Sequence, residues 1–166
     1  MNRFWTSQSA RSPGLIEGWY HTPESFHDSR IMALHIRDFR HSDAAELTPL
    51  SEAAHVLGAL PPPEAESRIL VGLRGHRLTG AIWFTLKGQT GIISCIAVAK
   101  SNGWHSDVQE LIVEASLWLS SRGAAHIELM AIPGDEALVA RLMELDFRTY
   151  ERQGVMRRLL PAQSAA

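Results

Sequence analysis

Hydrophobic and polar positions begin to follow a clear pattern at Ala33. Leu34 and Ile36, with Asp38, fall on one side of an extended segment, and His35 and Arg37 on the other, as in a half-buried strand. Ser42 and Asp43 then open a helix, with Glu46 at capping-box spacing from Asp43. Leu47, Leu50, Ala54 and Leu57 continue it at helical spacing to a stop at Gly58, and Pro49 kinks or restarts it. Pro61-Pro62-Pro63 is an extended connector. From Ser67, Ile69, Val71 and Leu73 alternate with Leu70, Gly72 and Arg74. Leu78 to Leu86 is the return strand, and Ile92 to Val98 is the most apolar and central one. These three strands predict an antiparallel meander.

The longest helix follows. Val108, Leu111, Ile112, Ala115, Trp118 and Leu119 form its apolar stripe, Ser106 with Gln109 suits a capping box, and Gly123 stops it. Ala125 to Ile132 reads as a strand. Pro133-Gly134-Asp135 leads into a helix carrying Leu138, Leu142 and Leu145. Phe147 to Glu151 and Val155 to Leu160 predict a closing hairpin about Gln153-Gly154. Residues 1–31 show no sustained period and read as an irregular extension; 32–160 form one patterned domain, and 161–166 a tail.

Composition narrows the class. The chain has 166 residues, 45% of them hydrophobic and 20% charged, enough for one globular core. A net charge of -2 gives no global attraction to nucleic acid. No apolar run approaches a membrane span, and the lone Cys95 suits a reducing compartment, so nucleic-acid and membrane partners are not expected and a cytoplasmic location is. His35 and His41 lack companions at zinc-site spacing, and no metal site is expected. Gly72-Leu73-Arg74-Gly75 lies in a strand and turn, not before a helix, so it is no phosphate fingerprint. Arg157-Arg158 reads as a solvated strand end. Cys95 has no activating His or acid set by spacing and reads as a core residue, and Ser94 lacks an activating partner likewise.

The order strand, helix, three strands, helix, strand, helix and closing strands resembles the GNAT superfamily of acyl-CoA-dependent N-acetyltransferases. Local stretches carry the likeness: 36–47 for the opening strand and helix, 78–82 for a glycine-containing strand, and Ile96-Ala97-Val98 before the long helix. Leu145-Asp146-Phe147 with 155–159 is similar to the closing segment, with Asp where Gly is usual. The resemblance implies an α/β fold with a mixed, mostly antiparallel central sheet flanked by helices. It implies a gap between the strands 92–98 and 125–132, where the pantetheine arm of acetyl-CoA pairs with the backbone of Ile96 and Val98. It places the pyrophosphate on amides of Gly103, Trp104, His105, Ser106, Asp107 and Val108, where first-turn N–H groups lack intrahelical partners.

The same residues depart from the family pattern. Gly103 falls where Gln or Arg is usual, Ser106 and Val108 take the two glycine positions, and Asp107 adds negative charge that His105 offsets only when protonated. The general-base position near Gly91–Ser94 has no carboxylate, and the general-acid tyrosine position holds Leu142. Glu128 and Tyr150 are the substitute candidates, each with a structural reading beside it: a surface charge and a half-buried tyrosine. The segment 58–66 is short where relatives carry a further helix, which suits an open site for a small-molecule or peptide amine and equally an acceptor site that is not used. A homodimer is consistent with the resemblance. Two readings stand: acetyl transfer to a primary amine, by direct attack with water relaying the proton, or a catalytically inactive domain that binds or regulates.

Overall fold

The computed structural model describes residues 33–62, 66–150 and 153–161. The predicted extension over 1–31 and the tail beyond Pro161 lie outside them.

Among the described residues twelve elements follow in order. They are β1 (His35–Asp38), a 3-10 turn (His41–Asp43), α1 (Ala44–Ala53), β2 (His55–Gly58), β3 (Arg68–Arg74), β4 (Arg77–Lys87) and β5 (Thr90–Val98). After these come α2 (Trp104–Ser121), β6 (His126–Leu129), α3 (Glu136–Glu144), β7 (Arg148–Tyr150) and β8 (Val155–Leu159). The strands form one eight-stranded sheet with the main order β1-β3-β4-β5-β6-β8-β7. All pairings are antiparallel except β5 with β6, which is parallel over Thr90–Ile93 and His126–Leu129. The predicted α/β class, the β3-β4-β5 meander and the closing hairpin are therefore present.

Period-2 alternation places two cores on the two faces of the sheet. On one face Ile82, Phe84, Ile93, Ile96 and Ile127 meet the α2 stripe of Val108, Leu111, Ile112, Ala115 and Leu119, with Leu138 and Leu142 of α3. On the other, Val71, Ala81, Trp83, Cys95 and Ala97 lie under Leu50 of α1. Gly80 lets α2 approach closely, because a Cβ there would stand 2.9 Å from Leu111 Cδ1.

Three local expectations differ from the structure. The first helix ends at Ala53, and Ala54 is already extended (φ -86°, ψ 172°), so Leu57 belongs to a strand rather than to the helix. Asp43 makes no forward cap to α1. Its carboxylate turns back to accept from Arg40 N at 2.8 Å and from both Arg37 nitrogens, while Glu46 accepts from Leu78 N. The long helix starts at Trp104 with Gly103 as N-cap, so Ser106 stands inside the first turn and caps nothing.

Candidate active site

β5 determines the site. Its register against β4 slips between Trp83↔Cys95 and Phe84↔Ile93, which leaves Ser94 as an extra residue. Such a bulge bends a strand and sharpens its twist. The Ser94 hydroxyl ties the bulge down by donating to Trp83 O at 3.2 Å. Beyond it β6 no longer follows: Met130 N donates to Ile93 O at 2.9 Å, and the pairing with β6 ends there. The predicted gap between these two strands therefore opens at Ser94.

That gap contains part of the chain. β2 runs antiparallel along the edge β6 has left, with His55 opposite Val98, Val56 opposite Ala97, Leu57 opposite Ile96 and Gly58 opposite Cys95. Ala59 N then donates to Ser94 O at 3.1 Å. Ile96 and Val98, whose backbone was expected to face an open slot, are paired with β2. Gly58 is required at the end of this strand. Its φ is +79°, and a Cβ would lie 2.2 Å from the Ser94 carbonyl oxygen.

The far end of β5 leads to the N-terminus of α2. Gly103 is exposed, and a Cβ there would meet nothing within 4 Å. The Trp104 ring lies between two imidazoles, with centroids 4.2 Å from His55 and 3.9 Å from His105. His55 begins β2, so this stack joins the strand in the gap to the start of the helix. His105 Nε2 lies 3.0 Å from Asp135 Oδ1, and the same carboxylate caps α3 by accepting from Leu138 N. The Leu138 amide, then His105, hold the Asp135 carboxyl below its ordinary range. His105 thus faces α3 and not Asp107, contrary to the expected offset. Asp107 is buried, with Arg74 Nη2 at 2.5 Å from Oδ1, so its charge is balanced from β3. Val108 contributes its side chain to the core.

Ser106 extends its hydroxyl toward Glu110 Oε1 at 3.4 Å, along the helix surface. The two substitute catalytic candidates lie on the sheet face opposite α2 and are linked through Arg157. Glu128 accepts from Arg157 Nε at 3.0 Å and from its Nη2, while the guanidinium carbon lies 4.9 Å from the centre of the Tyr150 ring. Arg157 is therefore an internal partner and not a solvated strand end. Thr90 Oγ1 and His126 Nε2, 3.0 Å apart, adjoin the same cluster. Next to it a cavity of about 630 Å³ opens between Leu60, Thr85, Lys87, Ile92, Ser94 and Met130, where the exits of β2 and β6 meet. Cys95 is fully buried, and burial pushes its thiol up to about 11.

No family model matches the sequence, and no curated protein does. Solved structures do match. A GNAT family acetyltransferase from Brucella melitensis, in complex with acetyl-CoA, superposes with a TM-score of 0.57 at 18% identity, over 80% of this chain and 92% of that one. The ribosomal-protein-S18-alanine N-acetyltransferase from Escherichia coli gives 0.62 at 13%, over 81% and 99%.

The fold is the GNAT fold.

The PaiA N-acetyltransferase from Thermoplasma acidophilum, in complex with coenzyme A, also scores 0.62, at 11% identity over 78% of this chain and all 100% of that one. On this GNAT fold β2 is the element that composition and periodicity did not predict. Its only sequence trace is the short stretch His55-Val56-Leu57-Gly58 between Ala54 and the prolines. No helix among the described residues is long and apolar enough to cross a membrane.

Proposed function

We propose that the chain is an acyl-CoA-dependent N-acetyltransferase acting on a primary amine. The observation that carries the reading is the parting of β5 from β6 at Ser94, with the N-terminus of α2 at the end of the same strand. Two neighbours of this fold are complexes with acetyl-CoA or coenzyme A.

The residues at the helix start fit an anion. Gly103 leaves its backbone open to close approach and the helix dipole favours negative charge there, while Trp104 N and Ser106 N, expected to be open, already donate to Ser101 O at 3.3 Å and to Gly103 O at 3.0 Å. The Arg74 partner removes the objection that Asp107 would repel a phosphate. Bound acetyl-CoA would supply an activated acyl carbon; the chain supplies position. The amine would approach from the cavity at Ile92, Ser94 and Met130. Glu128 is held by Arg157, so the amine proton leaves through water rather than to that carboxylate. Orientation of the two reactants carries the rate enhancement.

The competing reading is a non-catalytic binding or regulatory domain, and the presence of β2 in the gap favours it. Release of free CoA thiol from acetyl-CoA, followed across a panel of small and peptide amines, separates the two. Amine-dependent release with a matching mass increase of the amine supports the enzyme. Release no faster than spontaneous hydrolysis across the panel contradicts it.

A further inference from the structure

We infer that β2 is a built-in strap: it occupies the backbone edge of β5 that an extended, amide-bearing acyl carrier would use, and it must be displaced before such a carrier binds. The inference rests on the acyl-CoA reading above and adds a conformational gate to it.

Three features support displacement. First, β2 takes the right groups. Cys95 to Val98 lie between β4 on one edge and β2 on the other, so the backbone groups of this stretch that point away from β4 meet His55–Gly58. A pantetheine arm carries two amides and can replace a peptide strand on that edge, exchanging one set of backbone hydrogen bonds for another. Second, β2 is only partly buried, with Leu57 its one side chain packed on the core. None of its four residues is fully buried and Val56 is 43% exposed, whereas Cys95, Ile96, Ala97 and Val98 opposite are all fully buried. Third, its fastening reaches the proposed phosphate end. The His55–Trp104 stack attaches the first residue of β2 to the first residue of α2. An anion seated at the N-terminus of α2 and the start of β2 therefore compete for neighbouring space.

A carrier that binds only the open form has its apparent affinity reduced by the fraction of open molecules. Loosening the strap should restore that affinity. Gly58→Ala places a Cβ against a backbone oxygen that cannot rotate away, at a position whose φ already opposes a side chain. It should tighten CoA binding at least about tenfold. His55→Ala removes only the ring stack and should tighten binding about fivefold, so it carries the test if Gly58→Ala fails to fold.

The experiment is calorimetric titration of the full chain with CoA for wild type and both variants, paired with amide hydrogen exchange. In CoA-saturated wild type, residues 55–58 should lose protection while 95–98 keep theirs. If CoA binds wild type with 55–58 still protected and the variants bind no tighter, the strap is refuted and the enzyme reading survives. If no form binds CoA while exchange shows β2 open in a variant, both fall.

Discussion

Replacing Asp43 with asparagine keeps the shape of the side chain and removes its charge. In the folded chain Arg37 grips this carboxylate with two bonds, Nη1 to Oδ2 at 2.7 Å and Nη2 to Oδ1 at 2.9 Å, and Arg40 N adds a third at 2.8 Å. These contacts, the Arg37 guanidinium first, hold the carboxyl down to about 2 from its ordinary 3.8. A depressed acid contributes stability that is complete above its unfolded value and is lost as pH falls through its folded one. The depression is worth about 2 kcal/mol at pH 7, about 1 at pH 3 and well under about 1 at pH 2. Asparagine resembles the protonated acid, so Asp43→Asn should cost those amounts at those pH values. Urea unfolding of both proteins at pH 7 and pH 3, with equal slopes, measures the difference. A cost that is the same at both pH values would show that Asp43 acts through packing and not through its charge.

Three further outcomes follow from the packing around the site. Asp107→Asn breaks a pair whose carboxylate is buried and should cost about 3 kcal/mol, and a double-mutant cycle with Arg74→Met should show coupling of about 2 kcal/mol; additive effects would contradict the pairing. Cys95, pushed up to about 11 by burial, should have about one thiolate per thousand at pH 8 and react with iodoacetamide only as fast as the sheet opens; labelling at the rate of a free thiol would refute its burial. Gly91→Ala would place a Cβ 2.6 Å from Leu119 Cδ1 under α2 and should lower stability by about 1–3 kcal/mol in thermal unfolding; an unchanged midpoint would mean that the Leu119 side chain moves aside and the packing there is not tight.

The elements legible in the sequence were those whose own pattern was long enough to speak. β3, β4 and β5 alternate over 7, 11 and 9 residues, and the α2 stripe repeats over five turns. β2 was not legible because four residues cannot establish a period of two, and Leu57 continues the helical spacing of Leu47, Leu50 and Ala54. Gly58 reads equally as the end of a helix and as the positive-φ end of a strand. The start of α2 was misplaced by three residues because its N-cap, Gly103, has no capping side chain, while Ser106 and Gln109 offered a cap that does not form. The Glu128–Arg157 and Arg74–Asp107 pairs join residues 29 and 33 positions apart, and only the sheet register and the packing of α2 bring them together. Glu128 and Tyr150 were identified separately from their strands; that one arginine connects them was not visible.

The most direct measurement is amide NMR shift mapping of the full chain titrated with CoA. The account predicts saturable shifts at Gly103, Trp104 and His105, with coupled shifts at 55–58 and 95–98. No saturable shift up to millimolar CoA, or shifts confined to residues away from α2 and β5, would contradict it.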